Sequence, residues 1–289
     1  MVSVIFLLKT IMTPVILIDG KKQSKASVFN RNTQFGDGLF ETCLVENKKL
    51  LFWSNHLERM RLGCDRLKIS MIDETLWLSD IRKAFSLMKI DNCIVKLVLS
   101  RGESLRGYSY KYNIRPIRIT IVSELKKNNQ DKAFSLEFCN SGYNSNPKLA
   151  GIKHCNRLEQ VIARAGIKND DGIMLDENEN VISVTQGNIF CVQGNRLITP
   201  NLDKCGIEGT RRAVILKIAA DLGFDISIKN LSVKELLRSD EVFISNSIQG
   251  VGPVNRIEDF VYSKHKITEI ISETLKEKSA EDNSFIWLQ

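Results

Sequence analysis

The chain has little of what fixes a metal or a covalent framework. Its three histidines, His56, His154 and His265, stand at no metal-ligand spacing, so a zinc site is not expected. Its seven cysteines stand singly, without a CxxC pair and with an odd total. That excludes a disulfide framework and reads as reduced thiols in a cytosol. No run of eighteen apolar residues occurs, so no membrane span is expected. Proline is scarce, at five residues, and with 43% hydrophobic and 26% charged residues the composition is that of a folded globular protein. The net charge of +7 is spread over the sequence, and its densest runs, such as "ELKKNNQDK", are short and mixed in sign. No zinc-finger or RNA-recognition signature accompanies it, so a nucleic-acid partner is not expected, while an anionic small ligand is compatible.

What is present is an alternation of strand and helix patterns over a length that favours two domains. The first twelve residues, "MVSVIFLLKTIM", hold a short apolar run without the basic start or cleavage site of a signal peptide. Met12 directly precedes the strand-and-turn "TPVILIDGKK", so residues 1–11 are expected to be an upstream start or an appendage. Residues 12–125 read as a smaller α+β domain, with "LFETCLVENKKLLFW" as two strands and "SNHLERMRLGCDRLKI" as an amphipathic helix capped by Ser54 or Asn55. The aperiodic polar segment 126–132 is the expected linker. Residues 133–289 read as a larger α/β domain. In it, "GIMLDENENVISVTQGNIFCVQGNRLITP" suggests three short strands, and "TRRAVILKIAADLG" a helix.

Three segments have the residue types that anion chemistry needs. In "GIEGTRRAVIL", Gly209 and Thr210 precede a helix whose free N–H groups would point at an anion, although such a start is more often only a cap. "ISNSIQG" is a second small polar loop after a strand, and "LSRGESLRGY" puts Arg101 and Arg106 in a glycine-bearing turn. Arginine suits carboxylates through its bidentate fork. A fourth segment, "LAGIKHCNRLEQVIARAG", places Lys153 at the mouth of a helix, where most lysines are only solvated.

Taken in order, "NRNTQFGDGLFETCLV", "HLERM", "LVLSRGESLRGY", "LAGIKHCNRLEQV", "GNIF", "LITP" and "GIEGTRR" resemble the fold type IV pyridoxal phosphate enzymes, and among them the aminodeoxychorismate lyases. The resemblance runs from about residue 15 to about residue 256. It implies a two-domain α/β fold related to the D-amino-acid and branched-chain aminotransferases, a cofactor cleft between the domains, a homodimer, and a small anionic substrate. It implies that Lys153 is the lysine that binds pyridoxal phosphate covalently. Such a lysine must lose its proton to attack a carbonyl, and a cation-rich, partly buried setting, to which Arg157 would contribute, favours that. The resemblance also assigns Arg59, Gly209, Thr210 and Ser247 to the cofactor phosphate and Arg106 to a substrate carboxylate.

Two positions bear on the reaction. Branched-chain aminotransferases of this fold usually carry tyrosine five residues after the lysine, where this chain has Leu158, which favours the lyase. The family's glutamate opposite the pyridine nitrogen is here Ser183, whose hydroxyl is expected to donate a hydrogen bond to an unprotonated nitrogen but not to hold a proton there. The implied reaction is conversion of 4-amino-4-deoxychorismate to 4-aminobenzoate and pyruvate. The alternatives are a D-amino-acid or branched-chain aminotransferase of the same fold, and a homologue that binds the cofactor without turnover.

Overall fold

The computed structural model describes residues 13–125, 132–281 and 286–288, so residues 1–11 and all of the expected linker except Lys132 lie outside it. Two β-sheets organise the chain. In the first, Gly38–Glu46 pairs antiparallel with Cys93–Ser100, from Gly38 opposite Ser100 to Val45 opposite Cys93. Cys93–Ser100 pairs in turn with Ile117–Glu124, and that strand with Val15–Ile18. Along Gly38–Glu46, Leu39, Cys43 and Val45 alternate inward, as one covered face requires. They pack on Leu57, Met60 and Cys64 of the helix Trp53–Leu67, and the core continues to Trp77 and Ile81 of the helix Glu74–Met88. Contact is so close that a Cβ on Gly63 would lie 2.7 Å from Leu39.

The start of the helix Trp53–Leu67 differs from expectation. Ser54 and Asn55 lie inside it, and its cap position is Phe52, at φ 53° with no capping side chain. Buried Leu51, Phe52 and Trp53 fix the turn by packing, which replaces a polar cap. The next helix does follow the polar rule: the Asp73 carboxylate accepts from the amide of Thr75 at 2.8 Å.

The second sheet has ten strands. The stretch expected to form three strands forms four: Asp171–Leu175, Asn180–Val184, Asn188–Gln193 and Arg196–Pro200. Most of their residues are buried on both faces, which removes the alternation that would mark each one. Helices Thr210–Asp221 and Lys266–Glu281 pack against this sheet through Ile215, Ile218, Ile271 and Leu275. The same cluster takes in Leu44, Leu51 and Phe52 of the first unit, so one apolar core joins the two sheets. The C-terminal end returns as well: Ile286–Trp287, expected in the second domain, hydrogen-bonds along Lys49–Leu50 at the edge of the first sheet. All seven cysteines are free thiols, and no helix among the described residues is long and apolar enough to cross a membrane.

Phe190 and Phe243 are fully buried on neighbouring strands, with rings stacked at 4.8 Å and 8° between planes. Phe190→Ala is expected to destabilise the protein by about 3–5 kcal/mol, measured by urea unfolding.

Candidate active site

Backbone contacts place Lys153. On one side of it the amide of Phe40 donates to the Lys153 carbonyl, and the amide of Cys155 to the Gly38 carbonyl, each at 2.9 Å. On the other, the amide of Gly151 donates to the Gly206 carbonyl and that of Glu208 to the Gly151 carbonyl, each at 3.0 Å. Gly151 and Gly206 sit at φ +79° and +85°, a conformation that favours glycine. Ile152, between them, is fully buried in the first core. Residues 151–155 are thus stitched between the strand Gly38–Glu46 and the loop that leads to the helix Thr210–Asp221.

The stitch sets the Lys153 Nζ 4.5 Å from the centre of the Phe40 ring. Burial, reinforced by the charges of Arg59, Arg157 and Lys96 and opposed by Glu41, brings the pKa of this amine down to about 7. Near neutral pH a large share of it is therefore the free, nucleophilic amine. Its neighbour His154 is held neutral, with a pKa of about 3, by burial and the Arg157 charge.

Arg59 is brought to the same place. Its Nε and Nη2 donate to the Glu41 carboxylate at 2.8 and 2.5 Å, and its Nη1 donates to the Glu208 carbonyl at 2.8 Å. Gly209 caps the following helix without a side chain, and a Cβ there would fall 2.0 Å from Oδ1 of Asn188. Asn188 in turn donates to the Ile207 carbonyl at 2.9 Å, fixing the loop. Buried Thr210 opens the helix, whose first amides carry the positive end of its dipole. Arg211 reaches the other loop, donating to the Ser247 carbonyl at 3.2 Å.

Three expected residues are arranged differently. The Ser247 hydroxyl donates to the Thr42 carbonyl at 2.6 Å, so it ties the two sheets together and must turn to serve an anion. Ser183 is buried and donates to the Val184 carbonyl at 2.9 Å; its contact with the Tyr143 hydroxyl at 3.0 Å therefore has Tyr143 as donor. With its one hydrogen so placed, Ser183 offers a lone pair where a donor was expected. Arg106 is exposed on the loop after Cys93–Ser100, which is held by Arg31. The buried Arg31 guanidinium donates to the Ser104 hydroxyl and to the carbonyls of Gly107, Tyr108 and Ser109 at 2.8 to 3.3 Å, and to Asp37 at 2.8 Å.

Sequence reasoning passed over Glu41, His56, Tyr143 and Asn188. For Glu41 a signal existed: with Leu39, Cys43 and Val45 it occupies the inward-facing parity of a strand, where a lone carboxylate demands a partner. His56 and Arg59, three apart, share the helix face that supplies it.

Fold and site define a two-sheet protein with a buried lysine, its pKa lowered to about 7, beside a glycine-opened helix start. The chain belongs to the amino-transferase class IV family, whose sequence model matches residues 38–257. It is similar to the aminodeoxychorismate lyase of Vibrio harveyi, with 32% identity over 83% of this chain and 90% of that one. It is similar also to a putative branched-chain-amino-acid aminotransferase of Methanocaldococcus jannaschii, with 27% identity over 91% and 94%. The crystal structure of 4-amino-4-deoxychorismate lyase from Pseudomonas aeruginosa superimposes with a TM-score of 0.85 at 32% identity, over 91% of this chain and 98% of that one.

Arg31→Ala removes the donors that hold the loop 104–109. Trypsin cleavage after Arg106 is expected to accelerate about tenfold or more, followed by mass spectrometry, because local opening becomes cheaper by the worth of one or two charged hydrogen bonds.

Proposed function

We propose that the chain is a pyridoxal phosphate-dependent lyase that converts 4-amino-4-deoxychorismate to 4-aminobenzoate and pyruvate in folate biosynthesis. The observation that carries this reading is the Lys153 amine, brought to a pKa of about 7 beside a helix-start anion cradle. The likeness to the two lyases, at 32% identity each, selects the reaction.

The residues fit the cofactor. The amine suits its aldehyde, and the amides of Gly209 and Thr210, with Arg59 and a turned Ser247, suit its phosphate. Ser183 and Tyr143 form a neutral hydroxyl pair at the position assigned to the ring nitrogen. When bound, pyridoxal phosphate supplies a conjugated electron-withdrawing ring that eases removal of a proton from the carbon bearing the substrate amine.

The protein's own residues do the rest. Arg106 holds a substrate carboxylate, on the loop that Arg31 orders. Lys153 would accept the proton from the amine-bearing carbon as general base and then deliver it to the methylene of the departing enolpyruvyl group. The carbon–oxygen bond breaks, pyruvate leaves, and the six-membered ring becomes aromatic. That aromatisation provides the driving force, so the reaction tolerates the missing carboxylate at Ser183 better than a transamination would. The reading further takes the enzyme as a cytosolic homodimer.

Purified protein with pyridoxal phosphate and enzymatically generated aminodeoxychorismate is expected to yield 4-aminobenzoate and pyruvate by chromatography, and Lys153→Ala none. Conversion of the cofactor to its amine form by amino acids, without 4-aminobenzoate, would instead indicate an aminotransferase. In the cofactor-free protein, the rate of capture of pyridoxal phosphate should rise as pH increases through about 7, because the depressed pKa of Lys153 makes it the free amine above that value. Ser183→Glu is expected to shift the bound cofactor's absorption toward the ring-protonated form; unchanged absorption and rate would remove the role given to Ser183.

A further inference from the structure

Glu41 holds Arg59 among the groups assigned to binding, and among the described residues it is the carboxylate whose charge opposes the lowered pKa of Lys153. It is buried between Leu39 and Cys43 on the strand whose Phe40 ring underlies the amine. Its two oxygens take Arg59 in a bidentate grip and a third hydrogen bond from His56 Nδ1 at 2.6 Å. Burial opposes the anion, but Arg59 and His56 outweigh it and bring the carboxyl to about 2. His56 is kept neutral by burial, so it donates as an uncharged ring and leaves Glu41 and Arg59 as the formal charges of the cluster.

Around the amine, positive charge comes from three elements. Arg59 projects from the helix Trp53–Leu67 and Arg157 from the start of the helix Leu158–Ala165, and Lys96 stands on the strand Cys93–Ser100 with its Nζ 5.3 Å from the same Phe40 ring. His154 and Cys155 beside it are neutral. Arg211, from the helix Thr210–Asp221, acts on His56 and Cys43 behind the strand. Three cations thus face the amine against one anion.

We propose that Glu41 is a positioning residue with two effects: it fixes the Arg59 guanidinium against the loop before Gly209, and its buried charge offsets the cations around Lys153, setting the pH at which that lysine becomes a free amine. One edge of the Arg59 guanidinium, Nε–H and an Nη2–H, is turned to Glu41, and an Nη1–H is held by the Glu208 carbonyl, which together fix the plane of the group. The inference rests on Lys153 as the reacting amine but not on the identity of the substrate.

The test reads Lys153 itself, in the full-length cofactor-free protein. The pH dependence of Lys153 acylation by acetic anhydride, quantified on the Lys153 peptide by mass spectrometry, gives the midpoint of the amine. In the wild type it is expected near 7. Glu41→Gln is expected to lower it by about one unit, the low end of what a neighbouring unit charge produces. Arg59→Met should raise it, and Glu41→Asp, which keeps the charge, should leave it near the wild-type value while weakening pyridoxal phosphate affinity. A Glu41→Gln protein that folds with an unmoved midpoint overturns the proposal, since a purely structural residue would change stability alone. Should Glu41→Gln not fold, Arg59→Met decides: a raised midpoint supports control by this pair, and an unmoved one overturns it. Absence of 4-aminobenzoate with these shifts intact would count against the lyase reading and not against Glu41.

Discussion

Four backbone hydrogen bonds, two on each side of residues 151–155, are the constraint on which the site depends. They join the strand Gly38–Glu46 of the first sheet to the loop before the helix Thr210–Asp221 of the second unit. Each contributes roughly 1 kcal/mol, which is modest. Their greater effect is on register: a slip by one residue would turn Lys153 to the opposite face and put its neighbour in its place. Position is therefore set before any side chain of the site makes a contact. The same bonds carry Gly206 and Glu208, so the helix start and the Arg59 that grips Glu208 are located by the feature that locates the amine.

On that frame the electrostatics are lopsided. Arg59, Arg157 and Lys96 act on Lys153 against Glu41 alone. The same pattern recurs beneath the loop that bears Arg106, where Asp37 serves both Arg31 and Arg101. A net charge of +7, dispersed along the sequence, becomes locally concentrated once the chain is folded. A region with more buried cations than carboxylates disfavours a protonated amine and favours an anion, and both follow from one arrangement of charge.

The sequence made the helix start at Gly209–Thr210 legible because two glycines and a threonine run directly into a helical pattern, and the structure has that helix from Thr210. It made Lys153 stand out only through the ordered series of motifs, since composition and periodicity treat it as one lysine among many. It misplaced the start of the helix Trp53–Leu67, where apolar packing of Leu51 and Phe52 does the work usually done by a capping side chain. It merged strands buried on both faces, because alternation is the signal and burial on both sides erases it. Glu41 was legible from its parity in the strand. Its partners were not, for the Glu41–Arg59 pairing depends on how the following helix crosses the sheet, and no local pattern encodes that.

The pair Tyr143–Ser183 shows how a buried hydroxyl is satisfied without leaving a hole in the hydrogen-bonding scheme. Ser183 is too short to hold a charge partner and too buried to be left unsatisfied; the Val184 carbonyl takes its hydrogen and Tyr143 supplies one in return. Tyr143 stays protonated, since burial raises its pKa despite the nearby Arg157. The formal charge beside the pair is thus positive, carried by Arg157. A carboxylate would stabilise a protonated ring nitrogen, whereas the Arg157 guanidinium beside this pair disfavours one. Under the proposed reading, such an end to the site weakens electron withdrawal by the ring, and a reaction whose product is itself aromatic is the kind that proceeds with less of it.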